Sequence, residues 1–125
     1  MSQSLTRRYQ TDAVLSMTPE QLLLKLYEHA VRKLAEARQR MIARDPAGAG
    51  AALSRVIAIV GALRAALDLD VEAQAVPLLD RLYATVNDWL IEANLRQEPE
   101  PIEASQRILS TLKEGWDGAV RTASR

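Results

Sequence analysis

The sequence predicts an all-α protein, an antiparallel up-down four-helix bundle with a short N-terminal arm that can be partly helical. Alanine and leucine, two strong helix formers, supply 20 and 18 of the 125 residues. Apolar residues also recur at spacings of three and four in four consecutive segments, which places them on one face of a helix. Because the connections between these segments are short, neighbouring helices are expected to run antiparallel.

Capping and proline signals mark where the helices begin. Thr18 is a predicted N-cap, Pro19 takes the first helical position, and Gln21 completes a capping box with Thr18. Residues 45–46, Asp-Pro, repeat the start signal for the second helix. Residues 98–101, Glu-Pro-Glu-Pro, give the start of the last helix, where prolines are tolerated because first-turn N–H groups have no partner.

The third helix has the least definite start. Residues 68–70 close the second periodic segment, and Pro77 then lies either in the first turn of helix 3 or at a kink. The expected organisation is an N-terminal arm or cap at residues 1–17 and a four-helix bundle at residues 18–125.

Apolar stripes predict the core. The residues assigned to it with most weight are Leu23, Leu34, Leu53, Leu79, Leu112 and Trp116. Helices 2 and 3 carry more apolar residues than one stripe requires. Such a surplus is typical of a wide core, the commoner case, but it also fits a groove for a partner.

Composition excludes several classes of function. The 16 Lys and Arg residues balance 16 Asp and Glu residues, whereas a nucleic-acid binder needs clustered excess positive charge. The absence of cysteine removes disulfides, thiolate catalysis and cysteine-ligated metal. No stretch of about 18 unbroken apolar residues predicts a membrane span. With no secretory signal in the first residues, the expected location is the cytoplasm.

The single histidine, His29, limits the available chemistry. A di-metal bundle needs paired Glu-x-x-His motifs, which the chain lacks, so neither a metal nor another cofactor is expected. No nucleophile elbow or phosphate-binding loop accompanies His29, so an enzyme is not expected. One alternative stays open, a phosphotransfer bundle in which His29, four residues before Lys33, accepts a phosphoryl group.

Several short motifs, in order along nearly the whole chain, resemble the flagellin-export chaperone family. They are Tyr9 in the arm, Ser-x-x-Pro-x-x-Leu at residues 16–22, Leu-Tyr-Glu-x-Ala at 26–30, a run ending in Leu-Asp at 59–68, Leu-Tyr at 82–83, Leu-Ile-Glu-Ala-Asn at 90–94, and Leu-x-x-x-Trp at 112–116. No single motif is diagnostic, but their order and spacing together are specific.

The resemblance implies a cytoplasmic export chaperone. Such a protein binds the disordered C-terminal segment of flagellin, prevents premature polymerisation and delivers flagellin to the flagellar type III export apparatus. Export-gate components and other flagellar proteins are further expected partners, and the free protein is expected to be a monomer or a weak homodimer. An adaptor bundle for another secreted or regulatory protein is a second alternative.

The surplus apolar residues of helices 2 and 3 then predict the binding groove. Apolar anchors and polar contacts to the backbone of a bound segment are assigned to Ile57, Ile59, Leu63, Arg64, Tyr83, Asn87, Leu90, Ile91 and Asn94. We further hypothesise that Tyr9 and Val14 of the arm cover part of this groove in the free protein and are displaced by flagellin.

Overall fold

Four α-helices form the bundle. The structure, a computed structural model, describes residues 17–67 and 75–123. The helices are α1 (Pro19–Ile42), α2 (Pro46–Ala65), α3 (Ala75–Arg96) and α4 (Glu100–Ala123), with no strand in the described ranges. In the bundle α1 packs against α2 and α4, and α3 packs against the same two helices. This ring of four neighbouring helices confirms the predicted all-α four-helix fold.

The first two helix starts have the predicted caps. The Thr18 hydroxyl accepts a hydrogen bond from the Gln21 N–H at 3.1 Å, and the Gln21 side chain accepts one from the Thr18 N–H at 3.0 Å. At α2 the Asp45 carboxylate accepts from the Gly48 N–H at 3.0 Å, followed by Pro46 at the first helical position. Each cap pairs N–H groups that the helix itself cannot satisfy.

Pro77 lies near the N-terminal limit of the third described helix. Helix α3 is described from Ala75 onward, and residues 68–74 are outside the described ranges, so the start of this helix stays a prediction. A proline in a first turn removes no hydrogen bond, because the N–H it lacks has no intrahelical acceptor there. Helix α4 begins at Glu100, inside the predicted start signal.

Two helices end on residues with left-handed backbone. Arg44 (φ 60°) follows α1 and Gln97 (φ 54°) follows α3. After α1, the Asp45 N–H donates to the Arg40 carbonyl at 2.8 Å. After α3, the Glu98 N–H donates to the Ala93 carbonyl at 3.1 Å. These are the bonds of a Schellman motif, which turns the chain sharply enough for three-residue connections.

The core runs along the whole bundle axis. Of the residues assigned to it, Leu34 and Leu53 are fully buried, and four others pack against it while partly buried: Leu23, Leu79, Leu112 and Trp116. All six core assignments are therefore confirmed as core or core-adjacent.

Helix α2 is the most apolar of the four. By length and composition alone it is one candidate membrane span among the described residues, with a mean hydropathy of 1.5. Its buried residues are those of a bundle core, including Leu53, Val56 and Val60. The exposed side of the same helix is largely alanine, with Ala51, Ala58 and others, which raises hydropathy without adding large apolar side chains.

Candidate functional site

The α2/α3 seam, where the sequence predicts a partner groove, has a regular register. Gly50 of α2 lies against the Asn94 side chain of α3, since a Cβ at Gly50 would stand 3.3 Å from the Asn94 Oδ1. Two heptads away, Arg64 of α2 binds Asp80 of α3. The same antiparallel register places Ile57 opposite Asn87, midway between these two pairs.

A salt bridge closes one end of this seam. The Arg64 guanidinium donates through Nε to the Asp80 Oδ1 at 2.6 Å and through an Nη to Oδ2 at 3.3 Å. The hydrogen bond from Arg64 lowers the pKa of the Asp80 carboxyl. Bidentate geometry makes the pair specific, although an exposed ion pair contributes only about 0–1 kcal/mol. Arg64, predicted as a polar contact for the partner, is therefore already engaged within the chain.

The middle of the seam holds an unsatisfied polar group. The Oδ1 of Asn87 is buried and has no hydrogen-bond partner. An unpaired buried acceptor of this kind costs about 1–3 kcal/mol. Ile57, opposite in register, is only partly buried and packs on the edge of the core. The seam therefore contains an unpaired buried acceptor at the point where the sequence places two of the partner contacts.

An exposed apolar edge runs beside Asn87 on α3. Ile91 is 55% exposed and Leu95, one turn further on, is 82% exposed. Helical spacing puts Ile91 between Asn87 and Asn94 on the side of α3 that faces α2. Exposed large apolar side chains that lie together are typical of a docking surface.

We use the name seam surface for the part of this region that a partner can reach. It consists of Ile57, Asn87, Ile91, Asn94 and Leu95. Four of these residues were predicted from sequence, and Leu95 was not. The signal for Leu95 was available, because it follows Ile91 by four residues on the same helix face.

The other predicted apolar contacts are core residues. Ile59 is 8% exposed, Leu63 3%, Tyr83 1% and Leu90 fully buried. In the free bundle these four side chains belong to the core, and their assignment as partner contacts stays a prediction. The stripe of α3 that faces the core contains Tyr83 and Leu90, whereas Leu82 and Trp89, which have the same seven-residue spacing, are only partly buried.

One of these core residues, Tyr83, belongs to a buried polar network. The Tyr27 and Tyr83 hydroxyls are hydrogen-bonded to each other, and the Trp116 Nε1–H donates to the Tyr27 hydroxyl at 3.2 Å. Burial raises the pKa of Tyr27 and that of Tyr83, so both hydroxyls stay protonated at neutral pH. The network joins α1, α3 and α4 and offers no acid or base near pH 7.

His29 belongs to α1. Its side chain lies near Arg55, on the side of α2 that faces away from the seam surface. It is partly exposed, and its pKa is lowered by burial and by the nearby cations Arg32, Lys33 and Arg55. The imidazole is therefore neutral at pH 7. Within residues 17–67 and 75–123, no group of three or more potential metal-ligating side chains comes together.

The two arm residues assigned to an autoinhibitory cap, Tyr9 and Val14, lie outside the described residues. The proposed cover over the groove therefore stays a prediction.

Comparison with known proteins agrees with the motifs. The chain matches the family model described as flagellar protein FliS over residues 1–123. It is 34% identical over 105 residues to the flagellar secretion chaperone FliS of Salmonella typhimurium, an alignment covering 83% of this chain and 78% of the relative. It is 31% identical over 105 residues to the flagellar secretion chaperone FliSB of Pseudomonas aeruginosa, covering 84% and 83%.

A third relative extends the comparison. The flagellar secretion chaperone FliS of Escherichia coli is 26% identical over 113 residues, covering 90% of this chain and 83% of the relative. All three relatives are named as chaperones and none as an enzyme. The family match covers nearly the whole chain, including the motifs at residues 16–30 and 82–94. This chain therefore belongs to the FliS family of flagellar proteins.

Proposed function

We propose that this protein is a cytoplasmic export chaperone that binds the disordered C-terminal segment of flagellin. It holds that segment away from premature polymerisation and delivers flagellin to the flagellar type III export apparatus. The family match and the names of the relatives, all flagellar secretion chaperones, support this role.

The seam surface is the proposed contact for flagellin. The observation that carries this assignment is the exposed pair Ile91 and Leu95 beside a seam that contains an unpaired buried acceptor at Asn87. An amphipathic helix of the partner can bury Ile57, Ile91 and Leu95 under its apolar face. The exposed Asn94 side chain can accept hydrogen bonds from the partner backbone as well as donate them, whereas the buried Oδ1 of Asn87 becomes available only where α2 and α3 move apart.

The buried residues of the predicted groove have a supporting role in this proposal. Leu63, Tyr83 and Leu90 form the wall on which the seam surface lies. They fix the positions of the exposed residues and reach flagellin directly only where α2 and α3 move apart. The unpaired Asn87 lowers the cost of such a separation.

The arm is the proposed competitor. Tyr9 and Val14 supply apolar side chains that can cover the seam surface in the free protein and leave it when flagellin binds. A cover of this kind reduces self-association of an exposed apolar patch. Deletion of residues 1–15 is expected to increase aggregation of the free protein and to leave flagellin affinity unchanged or improved.

Calorimetric titration with the C-terminal segment of flagellin from the same organism tests the proposal. Coupled folding of a disordered segment buries on the order of 1,000–3,000 Å² and gives a negative heat-capacity change. We expect Ile91→Asp to weaken binding at least tenfold, about 1.4 kcal/mol. The matched control is Ile42→Asp, because Ile42 is 58% exposed and lies on α1, which is not part of the α2/α3 seam.

The outcomes separate the alternatives. Equal binding by the Ile91→Asp and Ile42→Asp variants would place the contact elsewhere on the bundle. Absence of any binding by the folded wild-type protein would favour an adaptor for another secreted or regulatory protein. The phosphotransfer alternative requires label on His29 from a phosphodonor, and the family and its relatives are named for flagellar secretion instead.

A further inference from the structure

A second groove lies on the opposite side of α2, between α1 and α2. It has a volume of about 570 Å³ and is lined by Lys33, Glu36, Arg40, Gly48, Ala51, Ala52, Ser54, Arg55 and Ala58. The lining from α2 consists of small side chains apart from Arg55, so another backbone can approach α2 closely. The lining from α1 consists of three charged side chains.

Positive charge dominates this groove. Lys33, Arg40 and Arg55 line it against a single carboxylate, Glu36. The Lys33 Nζ already binds the Glu36 carboxylate at 2.9 Å, which lowers the pKa of that carboxyl. Arg40 forms a 3.3 Å pair with Asp45 at the end of the groove. Arg55 has no ion pair in the described ranges 17–67 and 75–123.

The histidine beside the groove is subject to the same positive field. His29 lies one helical turn before Lys33. The charged groups that lower its pKa are Arg32 and Lys33 from α1 and Arg55 from α2, in addition to partial burial. The two helices thus bring cations towards each other across the groove, and Arg55 is the one of the three lining cations without a carboxylate partner among the described residues.

Positive charge is also concentrated in the half of the bundle that contains this groove. Residues 19–65, which contain α1 and α2, carry eight Lys and Arg against four Asp and Glu. Residues 75–123, which contain α3 and α4, carry five against eight. A chain with no net charge therefore presents a basic half, and the α1/α2 groove is a concave site within that half. Such a field attracts and orients an acidic partner.

We infer that the α1/α2 groove is a second docking surface, which binds an acidic helical segment of another protein. Lys33 and Arg40 are two turns apart, about 10 Å along the helix. Carboxylates two turns apart on a bound helix match that spacing. The small side chains of α2 leave room for the helix backbone between the cations, whereas a flat anionic membrane would not reach into a groove. This inference goes beyond the proposed function and does not rest on it.

A pair of model peptides provides the probe. The first is an alanine-based helical peptide of about 16 residues with glutamate at every fourth position, and the second replaces each glutamate by glutamine. His29 is the only histidine of the chain, so its imidazole signal in proton NMR reports on this groove alone. We expect the glutamate peptide to raise the pKa of His29 and to bind less tightly as salt is increased. The glutamine peptide is expected to do neither.

Charge-reversal variants locate the site. Arg55→Glu is expected to weaken binding of the glutamate peptide at least tenfold. Arg81→Glu makes the same charge change on an exposed position of α3 and is expected to have little effect. Circular dichroism confirms that each variant is folded, and titration with flagellin distinguishes this site from the seam surface, since Arg55→Glu should leave flagellin binding unchanged.

Three results would overturn the inference. They are equal binding of the glutamate and glutamine peptides, equal loss in the Arg55→Glu and Arg81→Glu variants, and a shift of the His29 signal by vesicles of anionic phospholipid but not by the glutamate peptide. The last result would indicate a membrane-binding surface instead.

Discussion

At the residue scale, the connection between α1 and α2 carries backbone strain at Arg44. Its φ of 60° lies in the left-handed region, where a side chain with a Cβ costs about 1–2 kcal/mol. The Schellman hydrogen bonds at Arg44 and Asp45 offset this cost, because they satisfy the last carbonyls of α1. They also bring Pro46 into position to begin α2. A single residue therefore sets the angle between two helices.

Replacement of Arg44 by glycine should stabilise the protein. Glycine adopts this conformation without a Cβ penalty, although it loses more chain entropy on folding. We expect Arg44→Gly to raise the free energy of unfolding by about 1 kcal/mol, measured by urea denaturation at pH 7. Arg44→Ala removes the same side chain but keeps the Cβ, so it should show no comparable gain. A gain of equal size in both variants would assign the effect to charge instead of backbone strain.

At the element scale, the same substitution should act in opposite directions on two helices. A Cβ at Gly115 of α4 meets nothing within 4 Å, so Gly115→Ala should gain up to about 1 kcal/mol from helix propensity. A Cβ at Gly48 of α2 would collide with the Asp45 carboxylate that caps this helix. Gly48→Ala should therefore lose the cap, worth about 0.5–2 kcal/mol, and show no net gain. Thermal unfolding of both variants measures the difference, and equal stabilisation would contradict the capping role.

The helices differ in how far their packing could be read from sequence. The core residues predicted for α1, Leu23 and Leu34, and the one predicted for α2, Leu53, lie in the core or against it. In α3 two stripes compete, one through Leu82 and Trp89 and one through Tyr83 and Leu90, and both have helical spacing. Periodicity alone cannot choose between them. The choice depends on the hydrogen bond between Tyr83 and Tyr27, a contact 56 residues apart in sequence.

The same ambiguity between the two stripes of α3 affects the predicted binding groove. Asn87 and Ile91 were predicted as partner contacts because they adjoin either stripe, and that assignment stays a prediction. The Arg64–Asp80 pair and the strained Arg44 were not foreseen, since both depend on three-dimensional register. The motifs identified the family because that information is carried by residue identity and order.

At the scale of the whole molecule, the buried tyrosine pair ties together helices that lie diagonally in the bundle. Tyr27 of α1 and Tyr83 of α3 meet in the core, and Trp116 of α4 joins them. A buried polar network of this kind fixes one arrangement of helices only if its members are satisfied. The fold therefore combines a rigid centre with a seam that contains an unpaired buried acceptor at Asn87.

Alkaline pH should destabilise the fold through these tyrosines. Burial raises the pKa of Tyr27 and Tyr83 above the ordinary value of 10.0, whereas in the unfolded chain both ionise near that value. Above about pH 10 the unfolded state thus holds fewer protons than the native state, and the free energy of unfolding falls as pH rises. Urea denaturation between pH 8 and 11 measures the slope. Double replacement by phenylalanine should flatten it, and an unchanged slope would assign the loss to other groups.

A double-mutant cycle on the tyrosines should reveal strong coupling. Tyr27→Phe removes the central hydroxyl and leaves both the Tyr83 hydroxyl and the Trp116 N–H without their partner, which should cost about 2–3 kcal/mol. Tyr83→Phe leaves only the Tyr27 hydroxyl short of one bond and should cost less. Because each single replacement already breaks the hydrogen bond between the two hydroxyls, the double variant should be more stable than the sum of the two losses predicts, by about 0.5–3 kcal/mol. Additive losses in urea denaturation would show that the two hydroxyls contribute independently and that the network does not hold the bundle in one arrangement.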